Sequence, residues 1–131
     1  MVRNQLDSRL QELSIYSEFY HRKELKALAQ ILVPGEQLNC ILTGVHEANR
    51  KMLAVTDQRI IIIFAGTLGA GDVKFIRRES VQSYQFEKRF LFSSVRIDTK
   101  GGASFAFSNT QGHLKDLFLW AMEQPLPDPD R

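Results

Sequence analysis

Residues 50–64, RKMLAVTDQRIIIIF, constrain the fold of this chain more than any other stretch. Two apolar runs flank Thr56, Asp57 and Gln58, and an Asp in that place can bond the backbone two residues on, as short turns do. The first run, 52–55, is apolar enough for a half-buried strand. The second, 60–64, is four isoleucines and a phenylalanine, residue types that pack well on a pleated surface. A strand with one wet face alternates apolar and polar residues, and this one does not, so both of its faces are expected to be covered. One face looks into a core; the other must meet a helix, a second sheet or another subunit. Arg59, just after the turn, is given a structural task, bonding loop carbonyls or a carboxylate. The stretch reads as a core hairpin.

A chain of 131 residues suits one domain and is long enough to bury a core. A formal net charge of +2 is too small by itself to point to nucleic acid or an anionic membrane. Cys40 is the sole cysteine, which excludes an intramolecular disulfide and fits a reducing compartment. The opening MVRNQLDSRLQEL lacks the apolar stretch of a signal peptide, and residues 60–64 are too few to span a bilayer. A cytoplasmic protein is the resulting expectation. Three of the four prolines fall in 125–131, PLPDPDR, read as a loose tail.

Taken in order, Leu6, Leu10, Leu13, Tyr16 and Tyr20 step at helical spacing and share a face. The pattern loses phase near His21 and resumes with Leu25, Leu28 and Leu32 before Pro34-Gly35 stops it. This gives two helices, or one bent near His21. From Glu36 the period becomes two, with Leu38, Cys40 and Leu42 on a core face. After the hairpin, AGTLGAGD reads as a flexible connection. Further strands centre on Val73 to Ile76, Val81 to Phe86, Val95 and Ile97, and residues 104–107, the last pair joined by a Lys100-Gly101-Gly102 turn. Leu114, Leu117, Phe118, Ala121 and Met122 form a one-sided final helix that Asn109 or Thr110 could cap.

The step Leu32-Val33-Pro34-Gly35-Glu36, the TDQRIIIIF hairpin with its Thr56-x-x-Arg59 step, and the closing helix after FAFSN resemble bacterial pleckstrin-homology-like domains of the YokE-like group. The resemblance spans about residues 25–124. It implies an α+β, mostly β fold: a seven-stranded, strongly bent antiparallel sheet or barrel capped by the C-terminal helix. Residues 1–24 then form a helical extension and 125–131 a flexible tail. The likeness implies little about chemistry, since a shared fold hosts many functions; members of the wider bacterial group look like non-catalytic binding or assembly modules, some of them symmetric oligomers. Lipid-binding relatives with this fold resemble one another in a basic cluster over the first two strands. Here that place holds His46, Arg50 and Lys51 with Glu47 among them, a weak phosphate site.

Other chemistry is poorly supported. GTLGAGD, residues 66–72, leads into a strand pattern, whereas phosphate-cradling loops open a helix. His21, His46 and His113 lie in separate elements without metal-ligand spacing, so neither metal nor cofactor is expected. Cys40 reads as a small buried hydrophobe. Aromatics Phe75, Tyr84, Phe86, Phe90 and Phe92 among basic residues make an RNA-binding sheet thinkable, but most are assigned to the core, and nucleic acid is disfavoured. Two interaction readings remain. The first is self-association or protein binding, motivated by apolar surface on the first helix and on 60–64, with Phe90, Leu91 and Phe92 as an exposed partner-binding tip. The second is weak contact with an anionic membrane through Arg50, Lys51, Arg77, Arg78, Lys88 and Arg89.

Overall fold

The computed structural model describes residues 1–66 and 69–127. Three short helices come first: α1 (Arg3–Glu12), α2 (Tyr16–Phe19) and α3 (Glu24–Ile31). The expected run from Leu6 to Tyr20 is therefore broken after Leu13. Ser14 takes φ +61°, the Ile15 amide donates to Leu10 O at 2.9 Å and the Ser14 amide to Gln11 O at 3.0 Å. This crossed pair is the Schellman ending of a helix, here built on Ser rather than the usual Gly, which is why the sequence pattern conceals it.

Seven strands follow: β1 (Leu38–His46), β2 (Asn49–Thr56), β3 (Arg59–Gly66), β4 (Gly69–Arg77), β5 (Val81–Lys88), β6 (Ser93–Thr99) and β7 (Ser104–Ser108). They form one antiparallel sheet in the order β4-β3-β2-β1-β7-β6-β5, so two meanders meet along β1 and β7. That seam carries a single ladder pair, Val45 with Ser108. Gly44 lies there because a Cβ would come within 2.8 Å of Thr110 Cγ2 and 3.0 Å of Phe107 Cβ. Gln111 continues the seam with its side chain, accepting from the Thr43 amide at 2.9 Å and donating to Thr43 Oγ1 at 2.6 Å. The final helix, α4 (Lys115–Glu123), follows a 3-10 turn at Gly112–Leu114. Neither Asn109 nor Thr110 caps it: the residue before α4 is Leu114, with no side-chain cap.

The connection expected at AGTLGAGD is mostly strand. Ala65 pairs with Ala70 and Gly66 with Gly69 beyond a register shift near Phe64. Gly71 permits this, since a Cβ there would meet Phe64 O at 2.6 Å. Thr67 and Leu68, within that expected loop, and 128–131 of the expected tail lie outside the described residues.

Ile60 to Ile63 are all buried, as the unbroken apolar run required. Both coverings come from the same chain. Leu6, Leu10, Phe19, Leu25 and Leu28 of the N-terminal helices join these isoleucines and Phe118 of α4 in one apolar cluster, with α3 against β3 and α4 against β1, β2 and β5. The apolar surface that motivated self-association is thus spent inside the protomer. β1 is likewise buried on both faces rather than one: α4 packs on it, and at its start Arg9 of α1 donates to Leu38 O at 2.7 Å and to Asn39 Oδ1 at 3.0 Å.

Candidate functional site

The steps Pro34-Gly35-Glu36 and Thr56-x-x-Arg59 lie 23 residues apart and meet in one buried cluster. Pro34 and Gly35, the latter at φ +84°, make a turn closed by the Glu36 amide donating to Val33 O at 3.0 Å. The turn aims the Glu36 carboxylate inward, where Arg59 grips it with Nε and Nη2, both at 2.9 Å. Thr56 Oγ1 adds a bond to Glu36 Oε2 at 2.7 Å and Arg59 Nη2 reaches Ile31 O at 3.0 Å. Burial pushes the Glu36 carboxyl up, but the Arg59, Thr56 and Val33 donors outweigh it and hold it below the usual range. Arg59 bonds a carboxylate, as its place after the turn suggested, and its carbonyl partner is the last residue of α3 rather than a loop. Thr56, not Asp57, makes the turn, accepting from the Gln58 and Arg59 amides at 3.1 and 2.9 Å. Asp57 instead accepts from the Gln37 amide across the chain. This cluster ties α3 and β1 to the hairpin.

The six cations read as a membrane contact do not form one face. Arg50 and Lys51 stand beside the β1–β2 turn, where Arg50 donates to Thr43 Oγ1 at 3.0 Å and Asn109 O at 3.2 Å, and Lys51 lies 3.8 Å from Glu47. Arg77 pairs with Arg59 at the opposite end of β3 and is exposed. Lys88 and Arg89 flank the β5–β6 turn, with Arg89 held by Glu87 at 3.0 Å. Arg78 must be withdrawn from the set. It is buried, and its guanidinium donates to Met122 O at 2.8 Å, Gln124 O at 2.6 Å and Asp57 O at 3.4 Å. A buried cation needs such partners, and carbonyls ending α4 are the negative pole of its dipole.

The β5–β6 tip is different. Phe90, Leu91 and Phe92 are 100%, 75% and 63% exposed, and the Arg89 amide closes the turn on Phe92 O at 3.1 Å. Its base is firm: Lys88 pairs with Ser93, the Thr110 amide donates to Ser93 O at 3.1 Å, and Gly112 packs so closely that a Cβ would sit 2.5 Å from Ser93 Oγ. Burying each of these side chains elsewhere would gain about 1.5–3 kcal/mol. Of the aromatics assigned to the core, Phe75 is also exposed, at 51%, with the Arg59 guanidinium 4.7 Å from its ring centre.

A cleft of about 320 Å³ opens beside the β1–β2 turn, lined by His46, Lys51, Phe64, Asp72, Lys74 and Phe105 among others. His46 Nδ1 donates to Ala106 O at 2.8 Å and Nε2 lies 3.3 Å from Glu47, while Lys74 sits 5.1 Å from the Phe105 ring centre. Asp72 and Glu47 offset the cations. Residues from five strands and a turn assemble this cleft, so no sequence spacing announces it. Elsewhere, burial pushes the Cys40 thiol far above its ordinary range, and His113 contacts Glu18 at 2.9 Å. Among the described residues no three His, Cys, Asp or Glu side chains gather to hold a metal, and no helix is long and apolar enough to cross a membrane.

The geometry agrees with comparisons to known proteins. The family model for the bacterial PH domain matches residues 32–117. A pleckstrin homology domain from Shewanella amazonensis SB2B is similar in structure, with TM-score 0.50 and 18% identity over 77% of this chain and 97% of that one. A DUF1696 family protein with a pleckstrin-homology domain from Shewanella loihica PV-4 gives 0.49 and 16% over 73% and 91%. No curated protein sequence matches. With more than half its length matched by the family model, and the sheet and closing helix built as described, this chain belongs to the bacterial PH domain family.

Proposed function

We propose that this chain is a non-catalytic interaction module that docks on another protein through the β5–β6 tip. The observation that carries this reading is the exposure of Phe90, Leu91 and Phe92 in succession on a firmly held hairpin base. An interface is dominated by a few large apolar anchors that fill pockets on the partner, and such a tip supplies three. Lys88 and Arg89, with Glu87, leave only one net positive charge around it, which suits a pocket better than a charged surface. Membership of the bacterial PH domain family, together with the burial of the Cys40 thiol, supports a role without catalysis.

The test is photo-crosslinking from position 90 in cells, with position 85 on the exposed side of β5 as control. A discrete protein adduct from 90 that is absent from 85, and lost when Leu91 and Phe92 become serine, supports the reading. Absence of any protein adduct at 90 defeats it. If the adduct proves to be a second copy of the chain, light scattering over a concentration series must show a dimer that the serine variants abolish. A second reading is favoured by the same three apolar residues standing above Lys88 and Arg89, the make-up that anionic bilayers accept. Salt-sensitive sedimentation with phosphatidylserine vesicles, without a protein adduct, would select it.

A further inference from the structure

A second hollow, larger than the cleft by the β1–β2 turn, lies between the N-terminal helices and the end of β3. It has a volume of about 710 Å³ and is lined by Arg3, Tyr20, His21, Arg22, Lys23 and Lys26, with Ala27, Gln30, Ala65 and Gly66 completing it. That volume falls within the range of small-molecule sites, about 300–1,000 Å³. Most of the lining precedes residue 32, where the family match begins. The charges are arranged by strong local pairs. Asp7 holds Arg3 Nε at 2.8 Å, and Arg3 Nη2 donates to Tyr20 O at 3.0 Å, tying α1 to the α2–α3 link. The nearly buried Glu24 carboxylate grips Arg22 by Nε at 3.2 Å and Nη2 at 2.6 Å.

Those pairs fix two guanidiniums at the rim. Lys23 and Lys26 differ: both are exposed, and neither forms an ion pair or side-chain hydrogen bond among the described residues. Three residues apart, they lie on one side of the helical turn. Tyr20, half exposed, stacks on Tyr16 with ring centres 5.6 Å apart and meets His21 edge-on at 5.4 Å. Among the described residues no carboxylate lines the hollow itself; Asp7 and Glu24 stand behind it, each engaged with a rim arginine, so Lys23 and Lys26 carry the charge that is not offset. A hollow with two guanidiniums held in place by carboxylates behind them, two ammoniums without an ion pair among the described residues and an aromatic wall is suited to a compact polyanion.

We infer that this hollow binds clustered phosphoryl groups, with Lys23 and Lys26 as the charged contacts and Arg3, Arg22 and Tyr20 shaping the walls. The phosphoryl groups could be carried by a free small molecule or by a phosphomonoester lipid, and both present the same chemistry to these residues. The inference is independent of the tip, since the lining shares no residue with it.

Calorimetric titration with inorganic pyrophosphate at low salt tests the free form. Sedimentation with phosphatidylcholine vesicles, with and without phosphatidic acid, tests the lipid form. Binding to either probe is expected, weakened tenfold or more in Lys23→Gln/Lys26→Gln and unchanged in Lys100→Gln, an exposed lysine at the β6–β7 turn. Serine substitutions at the tip should leave it unchanged. In the unmodified protein, pyrophosphate should shift the Tyr20 and His21 ring resonances, a readout that does not depend on any variant folding. No binding to either probe, or equal binding by the double variant, overturns the inference.

Discussion

Removing Arg59 isolates the buried end of the Glu36–Arg59 pair. The Glu36 side chain is 0% exposed and that of Arg59 23%, so alanine at 59 leaves a carboxylate in the interior with only the Val33 amide and Thr56 hydroxyl as donors. Breaking a buried ion pair costs about 3–5 kcal/mol. The two surviving donors and the partial exposure of Arg59 place this case near the lower bound, about 3 kcal/mol, or roughly 10 °C in Tm for a domain of this size. That is a large share of a total stability of about 5–15 kcal/mol. Urea unfolding at neutral pH measures it. Arg59→Lys should recover only part, because an ammonium cannot reproduce the two-pronged grip. Glu36→Gln/Arg59→Met keeps an acceptor for Val33 and Thr56 and leaves no buried charge, so it should cost less than Arg59→Ala alone.

The pH dependence has a definite sign. Glu36 is held below its unfolded value of about 4.3. Its contribution is therefore present in full above that value and lost as pH falls through the folded one. In Arg59→Ala the two Arg59 contributions that lower Glu36 are gone and burial still raises it, so protonation costs the variant less than the native protein, and the stability gap between them must narrow as pH falls. If the gap stays constant between neutral and acid pH, or the single costs simply add in the double variant to within about 0.5 kcal/mol, the pair is not the lock described here.

Gly44→Ala should lower the urea midpoint by an amount equal to about 1–3 kcal/mol, the usual cost of overpacking, because its Cβ would meet Thr110, Phe107 and the Ser108 carbonyl; an unchanged midpoint would show that the β1–β7 seam yields. Arg78→Met should cost about 2–4 kcal/mol by leaving the Met122 and Gln124 carbonyls without their donor, and thermal melts should show it without any change in vesicle binding. Cys40, wholly buried and with its thiol pushed far above the ordinary range, should react with a thiol reagent only as fast as the protein opens, and immediate native-state labelling would contradict its placement.

What was legible in the sequence was what local chemistry controls. The unbroken Ile run demanded two covered faces, Lys100-Gly101-Gly102 marked a hairpin, and the one-sided stripe from Leu114 to Met122 marked the closing helix. The Pro34-Gly35-Glu36 and Thr56-x-x-Arg59 steps pointed to the family because each needs its own backbone geometry: a positive φ after Pro in one, a side-chain-closed turn in the other. The tip of Phe90, Leu91 and Phe92 was visible too, since charged neighbours left its apolar residues no regular strand to join. Periodicity failed where a residue acted against its type, as at Ser14, which ends a helix in a Gly conformation, and at Gly71, where strands continue through an apparent linker.

Only the tertiary structure decided which chain covered the Ile strand, because a sequence pattern records that a face is buried and not what buries it. It also separated the basic residues. Arg77 and Arg78 are neighbours in sequence, yet one faces solvent and the other caps α4 from inside, a difference set by carbonyls more than 40 residues away. The Glu36–Arg59 lock, the cleft beside the β1–β2 turn and the hollow around Lys23 and Lys26 likewise draw on segments distant in the chain. Each exists only once the sheet has bent and the N-terminal helices have closed over β3.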